Sequence, residues 1–63
     1  MFMYQNQVKA AVRKIGGPTK TSNLLGVSNG AIHAWIKARR IPNVDYARKV
    51  AELAGMRVED VRP

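Results

Sequence analysis

An all-α domain of four to five short helices is the fold this sequence predicts. Three observations predict it. Apolar residues recur at three- and four-residue spacing along most of the chain. Glycines and prolines interrupt that pattern at short intervals, at Gly16-Gly17, Gly26, Pro42 and Gly55. No stretch alternates apolar and polar residues between turn signals, as a hairpin would.

The chain of 63 residues makes one domain, 1–63. A domain this small buries only about 60% of its unfolded surface, so its stability margin is thin. It contains no cysteine, which leaves no disulfide and no thiolate metal site to staple it. No apolar run approaches the ~18 residues of a membrane span. Met1–Tyr4 lacks the basic start and apolar stretch of a signal peptide. A cytoplasmic protein is expected, of the bacterial cytoplasm or nucleoid.

Taken in order, the elements read as follows. Val8, Ala11, Val12 and Ile15 make residues 4–15 a first amphipathic helix, ended by Gly16-Gly17. Phe2 and Tyr4 precede it, to cover the core or meet a partner chain. Pro18 suits the first turn of a second helix, where its missing N–H costs nothing. That helix runs through Leu24 and Leu25 and stops at Gly26. Ser28 is a good N-cap for a third helix, Asn29 to about Ala38. Ala31, Ile32, Trp35 and Ile36 lie on or near its inner face, with Trp35 in the core. Pro42 opens a fourth helix whose buried side holds Val44, Ala47, Val50, Ala51 and Ala54, flanked by Leu53. Gly55 closes it. Residues 57–62 make one last turn that packs Val58 and Val61 on the core.

Charge is segregated along this framework. The chain carries a formal +7. Residues 1–44 hold Lys9, Arg13, Lys14, Lys20, Lys37, Arg39 and Arg40, and no acid. Residues 45–63 balance Arg48, Lys49, Arg57 and Arg62 against Asp45, Glu52, Glu59 and Asp60. A positive field confined to one part of a small domain points to a polyanionic partner, nucleic acid or an anionic membrane. Membrane binding requires an exposed apolar stripe opposite the charges, and here the core uses the apolar residues. Readers of single-stranded RNA display exposed aromatics, of which the chain has few. A basic RNA-binding or membrane-surface helical protein is therefore the lesser reading. One His, no Cys and four acids confined to the C-terminal segment supply neither a nucleophile arrangement nor a metal site. An enzyme, a metal and a cofactor are not expected.

The second and third helices stand in a special relation. A left-handed glycine at Gly26 lets two helices meet steeply. Steep packing needs a small side chain where the backbones approach, and Ser22 stands there. Val27, Ile32 and Trp35 fill the wedge.

On these residues, Pro18–Lys37 resembles the helix-turn-helix of the lambdoid phage Cro and repressor family. Nearly the whole chain joins in. Ile15-Gly16-Gly17, Leu25-Gly26-Val27-Ser28, Ile32, Trp35, Arg40-Ile41-Pro42 and the ending Val58–Pro63 resemble the small all-helical Cro proteins. They also resemble the YdaS-type antitoxin regulators. Two positions depart from the pattern. Thr21 stands where an apolar residue is usual and packs through its methyl. Asn23 stands where a charged residue is frequent.

The resemblance implies a lambda-repressor-like domain with its third helix in the major groove. Ser28, Asn29, Gly30, His33, Ala34 and Lys37 would then face base edges, the same residues that remain once the buried positions are subtracted. Asn29 matches an adenine edge. Gly30 lets the backbone approach. His33 donates to guanine or phosphate, Ala34 packs on a thymine methyl, and Lys37 reaches guanine or phosphate. Lys14, Thr19, Lys20, Arg39, Arg40 and Asn43 would grip phosphates, with Arg13 extending the clamp. The implied partner is double-stranded DNA with a pseudo-palindromic operator, bound by a weak homodimer that meets through the neutral C-terminal half. The YdaS-like alternative adds a protein toxin as partner. With about five phosphates neutralised, log affinity falls with log salt at a slope of about −4 to −5.

Overall fold

The structure is a computed structural model and describes residues 6–62. Five helices follow one another: α1 Gln7–Ile15, α2 Pro18–Leu25, α3 Asn29–Ala38, α4 Val44–Ala54 and α5 Val58–Val61. No strand occurs among the described residues. The all-α prediction holds, and the fifth helix is the expected last turn.

Short polar side chains start three of these helices. Asn6 Oδ1 accepts from the Lys9 N–H at 3.1 Å, Ser28 Oγ from Ala31 at 3.1 Å, and Asn43 Oδ1 from Asp45 and Tyr46. Each satisfies first-turn donors that have no partner inside the helix. Two starts therefore differ from the sequence reading. Helix α1 begins at Gln7 because Asn6 caps it, and residues 4 and 5 lie outside the described residues, as does the role given to Phe2 and Tyr4. Helix α4 begins at Val44, two residues after Pro42, because Asn43 takes the cap.

The four longer helices end alike. The amide two residues past each end returns to a carbonyl in the last turn: Gly17 to Val12, Val27 to Ser22, Arg40 to Trp35, Met56 to Ala51. The residue before that amide has a positive φ. It is Gly16, Gly26 and Gly55 in three cases and Arg39, with φ 61°, in the fourth.

Helix α1 packs against all four other helices and forms the centre of the domain. Its Val8, Ala11, Val12 and Ile15 meet Leu25, Ile32, Trp35, Ile41, Ala47, Val50, Ala51 and Val61 in one core. Val27, Ala31, Ile36, Ala54 and Val58 pack on it from the rim. One apolar residue of α4 departs from expectation, Val44, which is 43% exposed; Leu53, expected on the flank, is 44% exposed. Val44 is the first helical residue, and helical side chains lean toward the N-terminus, so it points past the start of its own helix. Leu53 falls on the flank of α4 outside the core cluster. Tyr46 takes the place nearer the core, its ring 5.6 Å from that of Trp35.

The loop after α3 is fixed from behind. Ile41 is fully buried, its N–H donates to the Val61 carbonyl at 2.8 Å, and Arg62 Nε donates to the Pro42 carbonyl at 3.2 Å. The last helix thus holds residues 41 and 42 in place.

Candidate nucleic-acid interface

The α2–α3 corner is built as its sequence requires. Gly26 sits at φ 73°, ψ 30°, the left-handed region in which a Cβ is strained. Ser22 is buried where α2 and α3 approach, and its hydroxyl is used. Ser22 Oγ lies 2.8 Å from both the Thr19 carbonyl oxygen and Asn29 Oδ1. One hydroxyl proton serves only one of these acceptors at a time. If it goes to Thr19, the Asn29 amide turns and donates to Ser22; in both arrangements Asn29 is bonded to α2. Asn29 Nδ2 also reaches Thr19 Oγ1 at 3.4 Å. Thr21 is fully buried, and its hydroxyl donates to the Gly17 carbonyl at 2.8 Å. Its methyl fills an apolar place while its oxygen is satisfied, so the departure from an apolar residue leaves no orphan. No buried side-chain N or O among the described residues lacks a partner.

With Ile32 and Trp35 inward and Ile36 half-buried, α3 turns Asn29, Gly30, His33, Ala34 and Lys37 outward, all exposed, with the cap residue Ser28 beside them. Of these, Ser28 and Asn29 carry structural duties as well. Ser28 caps α3. Asn29 bridges to Ser22 and Thr19, an engagement that periodicity gave no sign of. His33, Ala34 and Lys37 make no side-chain hydrogen bond or ion pair among the described residues.

The residues expected to hold phosphate are also all exposed: Lys14, Thr19, Lys20, Arg39, Arg40 and Asn43. They fall into three places. Lys14 lies in the last turn of α1. Thr19 and Lys20 lie in the first turn of α2. That helix is the one of the four longer helices without a side-chain cap: Gly17 stands at its N-cap and Pro18 at its start. Pro18 has no N–H, and no side chain caps the remaining first-turn N–H groups. Arg39, Arg40 and Asn43 lie in the loop fixed by Val61 and Arg62, and Asn43 uses its oxygen to cap α4 while its amide nitrogen stays outward.

Sequence reasoning passed over Asn6. Besides capping α1, its Nδ2 donates to the Ile36 carbonyl at 2.7 Å. One side chain therefore ties the start of α1 to the last turn of α3. The signal was present, since an Asn before an apolar-periodic run is a cap signature; the bridge to residue 36 is not a local property.

No group of three or more His, Cys, Asp or Glu side chains comes together to hold a metal among the described residues. No helix among them is long and apolar enough to cross a membrane. Comparison with known proteins returned no matching family model, no matching curated protein and no matching solved structure.

Proposed function

We propose that this protein is a sequence-specific regulator that binds double-stranded DNA, a repressor of the Cro kind from a phage or prophage. The single observation that carries the reading is the division of α3. One side of that helix is locked into the core by Ile32 and Trp35, and the other presents Gly30, His33, Ala34 and Lys37 with nothing over them. Basic or polar groups flank that face at the start of α2 and in the loop 39–43.

In this reading α3 enters the major groove, where base pairs present distinct donor and acceptor patterns. His33 and Lys37 meet bases or phosphates one and two turns in. The uncapped start of α2 offers its N–H groups and dipole to one phosphate. Arg39 and Arg40 take another, from a loop that Ile41 and Val61 hold still. Holding it matters because ordering a loop upon binding costs affinity. One such helix covers few base pairs, so two copies on half-sites about 34 Å apart are required for specificity.

The test is selection from random duplexes followed by footprinting. A recovered pseudo-palindrome, protected over two half-sites one turn apart, is the expected result. Binding that shows no sequence preference, or preference for single-stranded RNA or liposomes, overturns the reading.

A further inference from the structure

We propose that Asn29–Gly30 is a self-modification site, a latent point of deamidation that α2 holds closed and that makes the exposed face of α3 acidic once it reacts. Asparagine occurs at positions 6, 23, 29 and 43, and Asn29 is the one followed by glycine. Glycine has no Cβ to shield its backbone nitrogen or to restrict the backbone around it. Gly30 lies in the first turn of α3, and its N–H has no acceptor among the described residues. A carboxamide carbon and a free amide nitrogen are thus neighbours on an exposed surface. The reaction needs only water. Gly30 N bonds to Asn29 Cγ, the Cγ–Nδ2 bond breaks, and Nδ2 leaves as ammonia with the proton that Gly30 gives up. Water then opens the cyclic imide. Addition at Cγ gives aspartate, and addition at the backbone carbonyl carbon of residue 29 gives isoaspartate.

Two features hold the site closed. The helical backbone at residue 29 keeps Gly30 N out of line with Cγ, so the first turn of α3 has to open before the ring forms. Turning Cγ toward Gly30 also pulls the carboxamide off Ser22, at 2.8 Å, and Thr19, at 3.4 Å. Both bonds belong to the α2–α3 corner, so the rate of reaction follows how often that corner opens. The aspartate form is compatible with the fold. A carboxylate is charged near neutral pH, it is favoured at the positive end of the helix dipole, and the Ser22 and Thr19 hydroxyls can both donate to it. It also brings an anion to the face that would meet DNA. The protein then loses duplex affinity while it stays folded, at a pace set by its own structure.

The loss of ammonia is measured without DNA, and only its consequence rests on the function proposed above. Trypsin releases residues 21–37 as one peptide that holds both Asn23 and Asn29, and mass spectrometry follows the two together. In urea, Asn29 should react roughly tenfold faster or more than Asn23, which precedes Leu24. In the folded wild type, Asn29 should react roughly tenfold more slowly or less than in urea. Ser22→Ala should speed the reaction in the folded chain severalfold. Ile41→Val, which trims the core away from the corner, is the control for lost stability and should speed it less. If Ser22→Ala does not fold, Thr19→Ala, at an exposed position, takes its place. Equal rates at Asn29 and Asn23 in urea, equal rates in the folded and unfolded wild type, or a corner variant no faster than Ile41→Val overturn the site. Asn29→Asp mimics the product. It should keep the wild-type circular dichroism and bind duplex roughly tenfold more weakly. A mimic that binds as the wild type does, or that does not fold, overturns the loss of affinity. A wild type that binds no duplex defeats the proposed function, and the ammonia measurements still decide the modification.

Discussion

At the scale of single residues, the side chains that orient α3 are small and polar. Ser22 and Asn29 join α2 to α3 across the corner, and a satisfied buried hydrogen bond is worth about 1 kcal/mol net. Removing one partner leaves the other short of a bond. Ser22→Ala and Asn29→Ala should therefore each lower stability, and a double-mutant cycle in urea should give a coupling of about 0.5–1.5 kcal/mol. A coupling near zero would mean the bridge is not formed in solution. Asn29→Ala also bears on the proposed readout. Bound to Ser22 and Thr19, its carboxamide keeps one lone pair and one N–H, the acceptor and donor that an adenine edge requires. Selection with the Asn29→Ala chain separates the two roles: a changed sequence preference marks a base contact, an unchanged preference with uniformly weaker binding marks a positioning residue.

Arg39 poses a different residue-scale problem. It occupies the positive-φ position that the other three long helices give to glycine. A side chain in that conformation costs about 1–2 kcal/mol relative to glycine. Comparing Arg39→Gly with Arg39→Ala isolates this cost, since both lack the guanidinium. The glycine variant should be more stable by about 1 kcal/mol in thermal melts, with both binding duplex DNA equally weakly. The native residue then keeps a cation at the edge of the proposed site against local backbone preference.

At the scale of elements, the corner turns on Gly26. A Cβ built there meets nothing within 4 Å, so any penalty comes from the backbone and not from a clash. Gly26→Ala should lower stability by about 1 kcal/mol, and Gly26→Asn by less, because asparagine tolerates the left-handed region. Equal losses for the two would point to packing instead. Elements of this sort were legible in the sequence because their causes are local. Period, cap and glycine stop gave α2 and α3 to the residue, and the buried side of α1 without error. What was illegible depends on distant neighbours. Val44 carries an apolar side chain in register with the buried side of α4, yet it stands 43% exposed at the helix start. Ile41 has no helical period, and it is buried because the last helix lies across it. The Asn6 bridge to Ile36 spans 30 residues. For the site, subtraction of the core face identified the exposed side of α3, but the engagement of Asn29 with α2 required the two helices to be placed.

At the scale of the whole molecule, the uneven charge sets how the protein meets a polyanion. If Lys14, Lys20, Lys37, Arg39 and Arg40 contact phosphates, log affinity should fall with log salt at a slope of about −4 to −5. Arg40→Ala should weaken binding to all duplexes alike and reduce the slope by about 1. A slope near zero would remove phosphate contact as the main source of affinity. His33→Ala belongs to the same titration as a contrast. Its effect should depend on duplex sequence if it meets a base, and its salt slope should match the wild type.

The bonds from Val61 to Ile41 and from Arg62 to Pro42 also impose an order in time. They join the loop to residues made 20 positions later. A chain grows at about 5–20 residues per second, so roughly one to four seconds separate synthesis of the loop from synthesis of the segment that fastens it. The core residues Ala47, Val50, Ala51 and Val61 are made in that same interval, so the proposed reading helix gains its full support and its proposed grip only as that segment is completed.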